Sequence, residues 1–159
     1  MFENLSSLFS ALGLGYLVAT AWPLAKTDIK QRRLPNKYVL PAFPITWFGQ
    51  LLAGFFGAGF LNMLWALIAG VVTFGISLLI NRLGLLGMGD VKLMTAMALA
   101  LGWYSPLLPI VSLGLSFLIA GVVALGLLVL KRIKLGGSMP LGPYLLVGFF
   151  GAITLAVWS

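Results

Sequence analysis

From Tyr38 to Asn81 the chain runs 44 residues without a charged side chain, and Leu93 to Leu130 (38 residues) and Leu135 to Ser159 (25 residues) do the same. Crossing a bilayer core takes about 20 apolar helical residues, so each run holds one or two spans. The runs are apolar on every face, whereas the strands of a transmembrane barrel alternate apolar and polar positions. No water is present in the hydrocarbon to satisfy backbone N–H and C=O groups, so the helix is the spanning structure that remains. Composition agrees: 61% of the 159 residues are hydrophobic and 8% charged, with a mean hydropathy of +1.11. That is too little charge to cover a water-soluble domain.

The first apolar stretch, Leu8 to Ala25, has basic residues after it and none before it. This reverses the order of a secretory signal peptide and predicts an uncleaved anchor with its N-terminus outside. A polar loop, Lys26 to Lys37, follows. Pro41 and Pro44 mark the start of a second helix, where proline removes no intrahelical hydrogen bond; it runs to about Phe56. The glycine-rich stretch Gly54 to Gly59 turns the chain into a third helix, about Leu61 to Ile80. A loop from Asn81 to Gly89 precedes a short fourth span, which starts near Gly89 or Asp90 and ends at the turn Trp103-Tyr104-Ser105-Pro106. A fifth helix is expected from about Pro109 to Leu130 and a sixth from about Leu141 to Trp158.

Six transmembrane helices alternate the loops between two sides, and the basic residues sort accordingly. Lys26, Lys30, Arg32, Arg33 and Lys37 fall in the first inner loop, Arg82 and Lys92 at the second, and Lys131, Arg132 and Lys134 at the third. All ten lie on one face, which the positive-inside rule makes cytoplasmic. The sequence thus predicts an all-α polytopic membrane protein, a single domain over residues 1–159, with three cytoplasmic loops and both termini outside. The net charge of +7 is read as orientation in the bilayer, not as a nucleic-acid surface. No two glycines stand four apart, so no Gly-xxx-Gly dimer motif is offered.

Cysteine and histidine are absent, which removes thiol nucleophiles, disulfides and the commonest zinc ligands; no metal or cofactor is expected. The three acids are Glu3, near the outer terminus, and Asp28 and Asp90, at the inner ends of helices one and four. Ionisable groups at membrane depth tend to face a bundle interior or a wet cavity and to have a function. A carboxylate at a helix end beside basic residues also reads as a merely interfacial group, and Asp90 after a glycine-rich turn reads equally as a helix cap. In Gly87-Met88-Gly89-Asp90-Val91-Lys92 the two glycines permit close backbone approach to the carboxylate. Lys92, two residues on, does not share its face of the helix. It is either a snorkelling anchor at the interface or a substrate contact.

Three elements together carry a resemblance. Asp28 is followed by Leu34-Pro35-Asn36, Gly87 to Lys92 has the form GxGDxK, and Met139-Pro140-Leu141-Gly142-Pro143-Tyr144 opens the last helix. In this order the chain resembles the type IV prepilin peptidases and the related preflagellin peptidases, which belong to the GxGD intramembrane aspartyl proteases. The resemblance implies that Asp28 and Asp90 are the catalytic pair, that Gly87, Gly89 and Lys92 support the site, and that Pro35, Asn36, Pro140, Gly142 and Pro143 shape the loops. It implies a prepilin or preflagellin-like precursor as substrate, cleaved behind its short basic leader at the inner membrane of a prokaryote. Larger family members carry a cytoplasmic insertion, often with four cysteines, associated with N-methylation. This chain has neither, and so looks like the small peptidase-only form of Tad/Flp pilus systems. The reading from a different class is a membrane transporter or a pilus-assembly scaffold, in which the aspartates bind ions or cap helices.

Overall fold

The computed structural model describes residues 2–131 and 139–158, and among them secondary structure is entirely helical. The elements are α1 (Phe2–Ser10), α2 (Leu12–Gln31), the short α3 (Asn36–Val39), α4 (Ala42–Ala53) with a π-helical turn Gly54–Ala58, α5 (Phe60–Arg82), α6 (Met88–Gly102), α7 (Leu108–Val129) and α8 (Gly142–Trp158). Four helical runs are long and apolar enough to cross a membrane: Leu5–Gln31, Asn36–Gly57, Phe60–Arg82 and Leu108–Val129. Helix α8 is apolar but shorter, at 17 residues. Helix α6 has 15, about 22 Å at 1.5 Å per residue.

That short helix is the centre of the molecule. Val91 and every residue from Leu93 to Gly102 are buried, as expected of a helix apolar on all sides. It packs against α2, α3, α4, α5, α7 and α8. Its C-terminal end is finished by a side chain. The carbonyl of Leu99 lies in the last turn, where no intrahelical donor is available, and it accepts a hydrogen bond from Nε2 of the buried Gln50 on α4 at 2.9 Å.

Close helix approach depends on small residues. A Cβ on Gly102 would stand 2.9 Å from Cα of Ala66 and 2.8 Å from Cβ of Ala69 on α5. On α7, Ser112, Ser116 and Ala120 repeat every four residues and are all buried; Gly148 of α8 sits directly on the two serines. The Ser116 hydroxyl donates to the Ser112 and Leu145 carbonyls at 2.7 and 3.3 Å. The spacing of glycines alone hides this seam, because its small residues are of mixed type on two helices. The outer faces of α5 and α7 remain apolar, with Ile76, Leu79, Ile110, Leu118 and Val122 all exposed, a surface suited to lipid.

Helix boundaries fall close to expectation except at the first loop. The expected loop from Lys26 is helical as far as Gln31, because nothing between Lys26 and Gln31 breaks a helix and Lys30 suits the negative end of its dipole. The stop comes at Arg32, in the left-handed conformation (φ 50°), whose N–H bonds the Asp28 carbonyl at 2.8 Å, with Pro35 just beyond. Residues before Leu8 are helical too, from Phe2. The turn at Gly54 to Gly59 is as expected, with Gly57 and Gly59 at φ 102° and 79°. Arg132 and Lys134, from the third basic cluster, lie outside the described residues.

Candidate active site

The buried residues of α2 are Gly13, Leu17, Ala21, Leu24 and Asp28. Their spacing of three and four makes one stripe, and it carries the aspartate inward to 4% exposure. The stripe is a signal present in the sequence: Asp28 continues the apolar face, whereas Lys26 and Lys30 stand off it. The Asp28 carboxylate is met by another part of the chain, accepting a hydrogen bond from the backbone N–H of Gly142 at 2.9 Å. Gly142 opens α8, where amides have no partner within the helix and the dipole favours an anion. A Cβ at this position would lie 2.8 Å from Asp28 Oδ2 and 3.2 Å from Leu34 Cδ2. The Pro140 to Tyr144 element, expected only to shape a loop, therefore touches the site through Gly142.

Asp90 is the third residue of α6, and Gly87 is its N-cap with extended backbone (φ −74°, ψ 146°). The carboxylate reaches back to the Gly87 amide, the arrangement of the acidic half of a capping box. Asp90 is therefore not the N-cap itself but a first-turn residue, and its carboxylate also faces a cavity. A Cβ on Gly87 would stand 2.9 Å from Asp90 Oδ2, and one on Gly89 would stand 2.9 Å from Leu34 Cβ. So the first glycine makes room for the carboxylate itself, and the second lets the α2–α3 link press against α6.

Leu34, Pro35 and Asn36 complete the junction. Leu34 is buried between Gly89 and Gly142, Pro35 is the N-cap of α3, and Asn36 Oδ1 accepts a hydrogen bond from Lys92 Nζ at 3.1 Å. Lys92 thus turns away from Asp90 to the neighbouring loop, as its place on the helix predicts.

Asp28 and Asp90 line two adjoining cavities of about 430 and 400 Å³, and both cavities also contain Arg32 and Gly87. The first is closed by Gly84 to Leu86 and Met139 to Leu141, the second by Leu34, Asn36, Gly89 and Lys92. The two aspartates are near enough to interact electrostatically. All the proposed site residues, Asp28, Gly87, Gly89, Asp90 and Lys92, are therefore gathered at one place. Gly142, Leu34 and Arg32 join them without having been singled out as site residues. An amide donated across the fold and a left-handed arginine leave no pattern in a sequence.

Each carboxylate accepts one backbone amide and, when ionised, has about four acceptor positions, so capacity remains toward the cavities for a water or for a substrate carbonyl. Among the described residues no group of three or more His, Cys, Asp or Glu side chains lies together as metal ligands.

The profile of the type IV leader peptidase family matches residues 14–158. Similar curated proteins include a prepilin leader peptidase/N-methyltransferase of Aeromonas hydrophila, 34% identical over 132 residues, covering 76% of this chain and 41% of that protein. The protein of the same description from Aeromonas salmonicida strain A449 is 33% identical over the same extent. The chain thus spans about two fifths of the length of the curated relatives it matches. No solved structure gives a significant match.

Proposed function

We propose, because this chain belongs to the type IV leader peptidase family, that it is an intramembrane aspartyl endopeptidase removing the short leader from prepilin-like precursors at the cytoplasmic face of a prokaryotic inner membrane. Asp28 and Asp90 form the catalytic pair. One carboxylate, ionised, takes a proton from water as it attacks the scissile carbonyl; the other, protonated, donates a hydrogen bond to that carbonyl and then supplies the proton the leaving amine needs. In such a pair the titration belongs to the two carboxylates together. Gly87 and Gly142 hold them by backbone amides, Gly89 seats the Leu34 link, and Lys92 with Asn36 forms the wall.

The observation that carries this reading is the shared cavity: the two aspartates, contributed by different helices, face the same space. A transporter or scaffold has no need of that pairing. The protein is further proposed to cross the membrane six times with both termini outside, and to act without methyl transfer, since the links between its helices hold no insertion large enough for a methyl-donor pocket.

The test is cleavage of prepilins in vesicles containing this protein and S-adenosylmethionine, with mass spectrometry of the trimmed product. Asp28→Asn and Asp90→Asn should each abolish cleavage, their combination should be no worse than either alone, and Glu3→Gln should cleave nearly normally. Near-normal cleavage by either folded aspartate variant overturns the paired mechanism in favour of the transporter or scaffold. A product heavier by one methyl group overturns the peptidase-only assignment.

A further inference from the structure

Beside the carboxylate site lies an apolar groove of about 510 Å³, with Phe43 and Trp47 of α4 on one side, Val71 and Phe74 of α5 on the other, and Lys92 and Leu99 of α6 marking its ends. Its volume is within the range of sites that bury a ligand. Helices α4 and α5 both pack on α6 but make little contact with each other, so the groove between them stays open. Val71 is 62% exposed there. From Lys92 to Leu99 the groove runs about 10 Å along α6, away from the aspartates and into the depth of the bundle.

Three features identify what would fill it. The groove adjoins the site: Lys92 lines both the groove and a cavity that holds Asp28 and Asp90. Its walls carry the bulky apolar side chains Phe43, Trp47 and Phe74, over a floor of buried small residues, Gly70 and Thr95. Its surroundings are polarised, because the exposed Arg32 and Arg33 line the carboxylate cavity but not the groove, whose residues other than Lys92 are uncharged. A polypeptide whose peptide bond lies at the aspartates leaves in two directions, one over a basic rim and one along an apolar trough. Within the bilayer the second direction must satisfy its own backbone hydrogen bonds, and so must be helical.

We infer that the groove between α4, α5 and α6 docks the apolar helical segment of the substrate polypeptide, the part that continues from the cleaved bond into the membrane. This rests on the peptidase reading given above. A second apolar groove of about 520 Å³, between α5 and α7, shares no lining residue with the two carboxylate cavities; it provides the control.

The experiment places a photo-activated benzophenone side chain at Val71 or, in the other groove, at Ile76, both exposed on α5, in full-length protein reconstituted with a prepilin. Crosslinks from Val71 to the precursor or its trimmed product, with few from Ile76, are the expected result. In parallel, Val71→Trp should raise KM about tenfold for a precursor with its apolar segment, the scale of a spoiled hydrophobic subsite. It should leave cleavage of a short peptide ending soon after the bond unchanged, and Ile76→Trp should change neither. Crosslinking from Val71 to lipid alone or to a second copy of this chain, or preferential precursor crosslinking at Ile76, overturns the inference while wild-type cleavage stands. Crosslinking of the precursor from the probe at Val71, with wild-type protein that never cleaves that precursor, overturns the peptidase reading instead.

Discussion

A single backbone amide fixes Asp28, and its donor is the one residue type that permits the contact. With alanine at position 142 the new Cβ would press on Asp28 Oδ2, which is the end of a side chain. The carboxylate would yield before the fold does. A hydrogen bond to a charged group contributes about 1.5–3 kcal/mol, so Gly142→Ala should lower kcat about tenfold to a hundredfold with KM little changed. Gly75→Ala, where a Cβ meets nothing within 4 Å, should keep full activity; equal turnover in the two variants would remove Gly142 from the site. Asp28 and Asp90 were legible in the sequence because acids are so scarce in it. Lys92 was legible as turning from Asp90, because helix geometry alone decides that. The donation from Gly142 was not, since it joins positions 114 residues apart through a group that every residue but proline carries.

Among the elements, α7 and α8 depend on each other through Ser112, Ser116 and Gly148. A side chain at 148 would meet the backbone of Ser112 and Ser116 as well as the Ser116 hydroxyl, and backbone cannot step aside as a side chain can. Gly148→Val should therefore push the helices apart at a cost of about 1–3 kcal/mol, seen as a lower midpoint of thermal unfolding in detergent. Gly121→Ala, on an open face of α7, should hold or raise that midpoint; an unchanged midpoint for Gly148→Val would mean that the seam is loose. Charge-free runs, prolines and glycine turns predicted most helix limits within a few residues. The end of α2 escaped because polar residues were read as loop, while Lys26 to Gln31 simply continue the helix with Asp28 on its buried stripe. The N-terminal α1 and the serine seam escaped for a related reason: neither is marked by a run of apolar residues or a pair of glycines.

At the scale of the whole molecule, the ends of α2 and α5 and the starts of α6 and α8 converge on the two carboxylate cavities, and they carry Arg32, Arg33 and Lys92. Reporter fusions around Arg33 and Arg82 should therefore report the cytoplasm, and fusions at the two ends of this sequence the outside. A cytoplasmic C-terminal reporter would refute the six-span topology, which the charge distribution predicts.

The bond from Gly142 to Asp28 also sets an order in time. Both aspartates leave the ribosome before α8 does, so the growing chain owns its acids well before it owns the amide that orients one of them. Until α8 has been inserted and has closed against α2, an unfinished copy in the membrane holds Asp28 without its anchor, and on the proposed mechanism its catalytic pair is not yet oriented. A chain stopped before Met139 should insert and keep both aspartates yet fail to cleave, and supplying α8 as a separate peptide should restore part of the activity. Full cleavage by the shortened chain would show instead that the carboxylates are competent without that last closure.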